Sequence, residues 1–321
     1  MPPTLTSIAQ HLEQVTTQLT WQQWGALGAQ TNDSAPHHQA AIDPEALLLM
    51  SLALLEHEKR LADVISSWVT LNSDLLSVQR IRNLARTFPA AVQENLGAVA
   101  AIAIKEAKDL RWRSVARDWQ KHTLPARAGK LRATKPAFML TATLLLQLRQ
   151  GMGVGVKADV FAFLLTSYNH GRDWASATAM ARALGYTSAA IGRNADDLAA
   201  ARFIHKMQSV ENAATSARMY MADPGTWGPP LRLGFIQPGW RYWKERFGFI
   251  ADVLEQGQKL EAAHASEFAV ANACRKLLDR HRMALYRDVV DAPMTSDASA
   301  DPVAALHQAS SRMAEWLRNN P

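Results

Sequence analysis

The run WASATAMARALGYTSAAIGRNADDLAAARFI, residues 174–204, constrains this chain more than any other stretch. Ser176 can cap a short helix that carries Met180, Ala181 and Leu184 on one face. Gly185 and Tyr186 then make a turn, and Ser188 can cap a second helix whose buried stripe is Ile191, Ala195 and Leu198. The small side chain of Ala181 lets the two helices approach, Gly185 supplies a turn with positive φ, and Ile191 packs back under the pair. The residues beyond this pair predict a hairpin: a strand near 204–209, a polar loop with Glu211, Asn212, Thr215 and Ser216, and a returning strand near 218–222.

Elsewhere helical periodicity dominates, so the fold is expected to be mainly α. With 321 residues, 48% of them hydrophobic, the chain has apolar material for two or three domains. Helices are predicted over 4–24, from Asp43 as N-cap with Pro44 behind it, over 74–87 and over 89–119. Prolines, a glycine and basic residues between Leu124 and Pro136 place a boundary there. Further helices are predicted over 137–150, 240–259, 260–290 and 303–318, with a small-polar linker at 291–302. The division is thus an N-terminal helical domain at 1–134 that ends in a basic segment, a central domain at 135–228 and a C-terminal helical domain at 229–321.

The net charge is +6, and the segment 105–135 holds ten Lys or Arg against three acids, either a solvated helix and linker or a surface facing phosphates. The single cysteine, Cys274, excludes an intrachain disulfide and a multi-cysteine metal site, and points to a reducing cytoplasm. No signal-like leader and no apolar run of about 18 residues is present, so no membrane association is expected. GMGVGVKADVFAFLL (151–165) fails as a phosphate loop because Lys157 is followed by Ala158, and its glycines are too closely spaced for a dinucleotide fingerprint. They read as a bend feeding a helix over 157–168. Glu56, His57 and Glu58 lack the second histidine of a zinc protease motif. No nucleophile, base and acid fall together, so no catalysis, metal or cofactor is expected.

The helix pair and hairpin resemble the helix-turn-helix signature, and in particular the winged-helix repressors of the ArsR and MarR type. Their pattern falls on Ser188, Ile191, Leu198 and the closing Ala201, Arg202, Phe203 and Ile204. Arg202 stands where that pattern has glycine, and a left-handed conformation there costs about 1 kcal/mol. The resemblance implies a central winged helix of three helices and a β-hairpin wing, with the helix over 188–201 in the DNA major groove and the hairpin over 204–222 as the wing.

On that reading Thr187, Ser188, Ala189, Gly192 and Arg193 face base edges, with Asn194 flanking, and Arg193 is suited to pair with guanine. Ser176, Thr178, Arg182, Lys206 and Arg218 would meet backbone phosphates, and Lys130 and Arg132 of the basic segment would add attraction. Asp196 and Asp197 oppose it, and segment 157–223 is nearly neutral, with seven basic and six acidic side chains. A homodimer is therefore expected to supply the field. The implied function is a sequence-specific regulator of double-stranded DNA, a repressor in the cytoplasm at the nucleoid, with any effector left open. The alternatives are a helical adaptor whose winged helix binds protein, and an enzyme with dispersed active-site residues.

Overall fold

Thr4 and Ser7 open the first helix by a reciprocal cap: each side chain takes the other's backbone N–H, at 3.0 and 3.1 Å. The computed structural model describes residues 3–31, 40–119, 123–124, 132–167, 174–208, 218–233, 239–286 and 301–319. The helices before the glycine bend are α1 (Leu5–Ala26), α2 (Pro44–Ala53), α3 (Leu61–Asn72), α4 (Val78–Ala85), α5 (Ala90–Lys105), α6 (Arg113–Asp118) and α7 (Leu144–Met152). After it come α8 (Val156–Thr166), β1 (Ala175–Ser176), α9 (Ala177–Leu184), α10 (Ser188–Ala200), β2 (His205–Gln208), β3 (Arg218–Met221) and α11 (Pro224–Trp227). The chain closes with α12 (Trp243–Ala262), α13 (Glu267–Arg280), α14 (Arg282–Tyr286) and α15 (Pro302–Asn319). The described residues are mainly helical, with one small antiparallel sheet in the order β1-β3-β2.

Two apolar cores organise these elements. The larger is shared by helices of the first and third sequence segments: α1 packs along α15 and α12, and Leu12, Leu47, Trp68, Phe247 and Met313 are sealed in one cluster. Trp24 and Trp68 stack in tilted fashion at 5.4 Å, and their indole N–H groups donate to the Ser51 hydroxyl and the Leu27 carbonyl. The Trp243 indole ties α12 to the entry of α2 through the Ala41 carbonyl at 3.0 Å. Gly257 lets α12 lie close to α1, since a Cβ there would stand 3.0 Å from that of Ala9. The smaller core gathers α7 to α10 and β3 around Phe161, Leu184, Ile191 and Tyr220.

Several boundaries differ from those the sequence predicts. The stretch after Pro44 splits at Leu54–Arg60 into α2 and α3, and the helix predicted over 89–119 breaks after Lys105, where Lys108 takes a positive φ of 57°. Gly153 turns the chain between α7 and α8 with φ 85°, as a bend there requires.

Between the two cores lies a buried ionic network. Arg80 of α4 reaches Asp43 and Glu45, while Arg149 of α7 bridges Glu45 and Asp159 of α8, every one of these side chains being at most 1% exposed. Three carboxylates thus face two guanidiniums. Asp43 and Glu45 also sit at the amino end of α2, where Asp43 accepts the Ala46 N–H and the backbone partial charge favours anions. Tyr186 adds a hydroxyl that donates to Asp159 at 2.8 Å, and Arg80 donates to the Leu184 carbonyl at 2.7 Å. Burial would raise the Glu45 carboxyl, but Arg149 and Arg80 outweigh it and hold it below the ordinary range. The same burial, joined by Asp159, pushes the Tyr186 phenol well above its usual value, so it stays a donor. The network thereby pins the turn between α9 and α10 to the larger core.

Candidate nucleic-acid interface

Local chemistry builds the α9–α10 pair much as its spacing predicts. The Ser176 hydroxyl caps α9 by accepting the Ala179 N–H at 3.2 Å, and Gly185 ends that helix in the left-handed region with φ 75°. Its missing Cβ matters twice, because a methyl group there would also stand 2.5 Å from Leu84. One cap moves: Thr187, not Ser188, is the N-cap of α10, taking the Ala190 N–H at 3.2 Å. The chain leaves Gly185 extended at Thr187 (φ −80°, ψ 146°), so Thr187 is the last non-helical residue and Ser188 is already inside the helix. Ile191, Ala195 and Leu198 are buried as a stripe, and Arg202 takes the left-handed conformation (φ 64°) despite its side chain.

The opposite face of α10 is open. Seven of the residues read as contacts line one groove of about 660 Å³ between the start of α9, the outer face of α10 and β3. They are Ser176, the cap of α9, Thr178 from its first turn, Ser188, Ala189, Gly192 and Arg193 from α10, and Arg218 from the returning strand. Arg193 is exposed and forms no ion pair among the described residues. The other six are not in that lining. Thr187 spends its hydroxyl on the cap, and Asn194 folds back to donate to the Ala190 carbonyl at 2.8 Å, so its amide is committed to its own helix. The exposed Arg182 stands at the far end of α9, its carbonyl accepting from Lys244 at 2.6 Å. Lys206 meets Asp196 from β2, and exposed Arg132 lies in the strap that pairs with residues 28–30. Lys130 lies outside the described residues, as do the wing-loop residues Glu211, Asn212, Thr215 and Ser216.

The two acids that oppose an anion are both occupied. Asp197 pairs with Lys157 at 2.9 Å. Asp196 receives Lys206 at 2.7 Å, Arg218 at 2.7 Å and the Tyr220 hydroxyl at 3.0 Å. The Lys206 hydrogen bond first, then Tyr220 and Arg218, hold its carboxyl below the usual range against the effect of partial burial. Strand geometry explains the convergence. Arg218 and Tyr220 are two residues apart on β3, and Lys206 stands opposite Tyr220 in the β2–β3 register, so all three project from one face of the hairpin. Sequence reasoning had no sign of this cluster beyond that alternation, because Asp196 lies 22 and 24 positions before Arg218 and Tyr220.

The basic segment is tempered in the same way: Arg111 pairs with Asp109, Lys105 with Glu106, and Arg117 with Asp118. Among the described residues no cluster of three or more potential ligands could hold a metal, and no helix is long and apolar enough to cross a membrane. Cys274 is buried, which pushes its thiol up to about 11. Compared with family models, curated proteins and solved structures, the chain matches none.

Proposed function

We propose that α7 to α10 and the β1-β3-β2 sheet belong to a winged helix that binds double-stranded DNA, and that the chain is a sequence-specific transcription regulator of the repressor kind. One observation carries this: the β1-β3-β2 sheet closes on α8, α9 and α10 so that the amino end of α9, the outer face of α10 and Arg218 share a single open groove. An α-helix about 10–12 Å across fits the major groove of B-form DNA, about 12 Å wide, with its first turns against the base edges. Ala189 and Gly192 keep the face of α10 low, while Arg193 offers a forked donor suited to guanine. The start of α9 presents Thr178 and backbone N–H groups toward a phosphate on one side. The wing flanks the other.

One such groove carries little net charge, so the reading includes a homodimer that sets two copies of α10 about one DNA turn apart, roughly 34 Å. The rival, an adaptor whose winged helix binds protein, draws on exposed Met207, which projects from the hairpin face opposite Lys206. Competition binding separates the two. The full chain should prefer DNA from upstream of its own reading frame over a scrambled duplex by a factor on the order of a thousand at physiological salt. Equal affinity for both would refute sequence-specific regulation and favour the adaptor.

A further inference from the structure

Asp196 lines the groove beside Arg193, although an acid is not expected on a helix face that meets DNA. Its carboxylate is matched on three sides by the wing, and the match is rigid on one of them. The Tyr220 ring is fully buried, leaving its hydroxyl a fixed donor to Asp196, whereas Lys206 and Arg218 approach from the solvent side on long stems. Asp197, the next residue, points elsewhere and pairs with Lys157 on α8, outside the groove lining.

We infer that Asp196 is an electrostatic clasp that holds Lys206 and Arg218 against α10 and so weakens the grip of the groove on phosphates of the wrong sequence. The inference rests on the DNA-binding reading and concerns how that site is regulated. A phosphate arriving at the wing competes with a carboxylate already 2.7 Å from each cation. On a non-specific duplex nothing offsets that competition, and the wing contributes only the surplus positive charge of two cations over one anion. On a matched site the contacts of α10, with Arg193 foremost, hold the duplex in place long enough for the wing cations to share their partners with phosphate. The clasp therefore lowers non-specific binding more than specific binding.

The experiment uses the full chain and two polyanions, a random-sequence duplex and heparin. Asp196→Asn should bind both more tightly than the wild type. Each phosphate contact it gains should enlarge the loss of duplex affinity between 50 and 200 mM salt by roughly 3.5-fold, from a slope of about 0.9 per contact. Asp197→Asn makes the same change of charge one residue away and should leave the salt slope unaltered. Equal effects of the two variants, weaker binding by Asp196→Asn, or no binding of either polyanion by any of these proteins would overturn the clasp.

A second comparison does not depend on how well Asp196→Asn folds. Because Lys206 is clasped while Arg193 has no ion pair among the described residues, Lys206→Gln should shift elution from heparin less than Arg193→Gln, and an equal or larger shift counts against the proposal. A wild-type chain without preference for its own upstream DNA, alongside tighter random-duplex binding by Asp196→Asn, would remove sequence-specific regulation and the clasp's part in discrimination, and retain Asp196 as a brake on polyanion binding.

Discussion

Replacing Arg149 by methionine should destabilise the chain far more than removing any surface arginine. All five N–H groups of the Arg149 guanidinium are used: two meet Glu45 at 2.6 and 3.0 Å, two meet Asp159 at 2.8 and 2.9 Å, and one meets the Leu75 carbonyl at 3.0 Å. Methionine fills much of the same volume, so the loss is mainly one of charge. Three buried carboxylates would then face Arg80 alone, and removing one partner of a buried pair costs roughly 3–5 kcal/mol. Arg111 provides the contrast, since it also grips a carboxylate with two nitrogens, Asp109 at 2.7 and 2.9 Å, but its side chain is 45% exposed. An exposed pair of that kind contributes about 0–1 kcal/mol. At roughly 2 °C per kcal/mol for a long chain, calorimetry should give Arg149→Met a melting temperature about 6–10 °C below wild type and Arg111→Met less than about 2 °C. Equal shifts, or an Arg149→Met protein that melts with the wild type, would refute the view that this network joins the two cores.

Gly185→Ala should cost about 1–2 kcal/mol from its left-handed backbone alone and more from displacing Leu84, whereas Gly192→Ala, whose Cβ would meet Ala177 at an ordinary 3.9 Å, should be neutral or stabilising by up to about 1 kcal/mol; urea titration of both checks this. Acid should weaken the fold through Glu45. Its folded value lies below 4.5, so the unfolded chain takes up the proton first, and the contribution is full above 4.5 and lost as pH falls through the folded value; urea midpoints should hold steady from pH 7 to about 5 and drop below about 4. Arg193→Ala should cost roughly 1–3 kcal/mol of DNA affinity and relax the preference at one base pair, which footprinting on a set of single-base variants would show.

The α9–α10 pair and the strands of the hairpin were legible because each depends on residues a few positions apart. Ser176 reaches the third helical N–H, Gly185 must turn left-handed where the helix stops, and Ile191, Ala195 and Leu198 recur at helical spacing. The misplaced cap, Ser188 for Thr187, is a one-residue error of the kind expected where two hydroxyl residues adjoin. The common core of α1, α12 and α15 was not legible. An amphipathic stripe says which face is buried and nothing of what buries it, and the partners lie some 250 to 300 positions along the chain. The ionic network was hidden for a related reason. Arg80, Arg149 and Asp159 look like any solvated charge until α4, α7 and α8 enclose them, and only Asp43 had a local signal, its position before Pro44. In the groove, the spacing identified the exposed face of α10 but not that Asn194 is folded back or that Asp196 draws in the wing.

The central claim, that the outer face of α10 lies against DNA, is tested most directly by a photoreactive side chain placed at Ala189, with a control at Phe268 on α13. Both positions are exposed, Phe268 at 79%, so reaction with solvent-borne molecules is open to each. Irradiated with a duplex from upstream of its own reading frame, the Ala189 protein should cross-link to the DNA, and an excess of scrambled duplex should not suppress the product, while the Phe268 protein should give little or none. Cross-linking from Phe268 alone, or equal yields from both positions, would contradict the account.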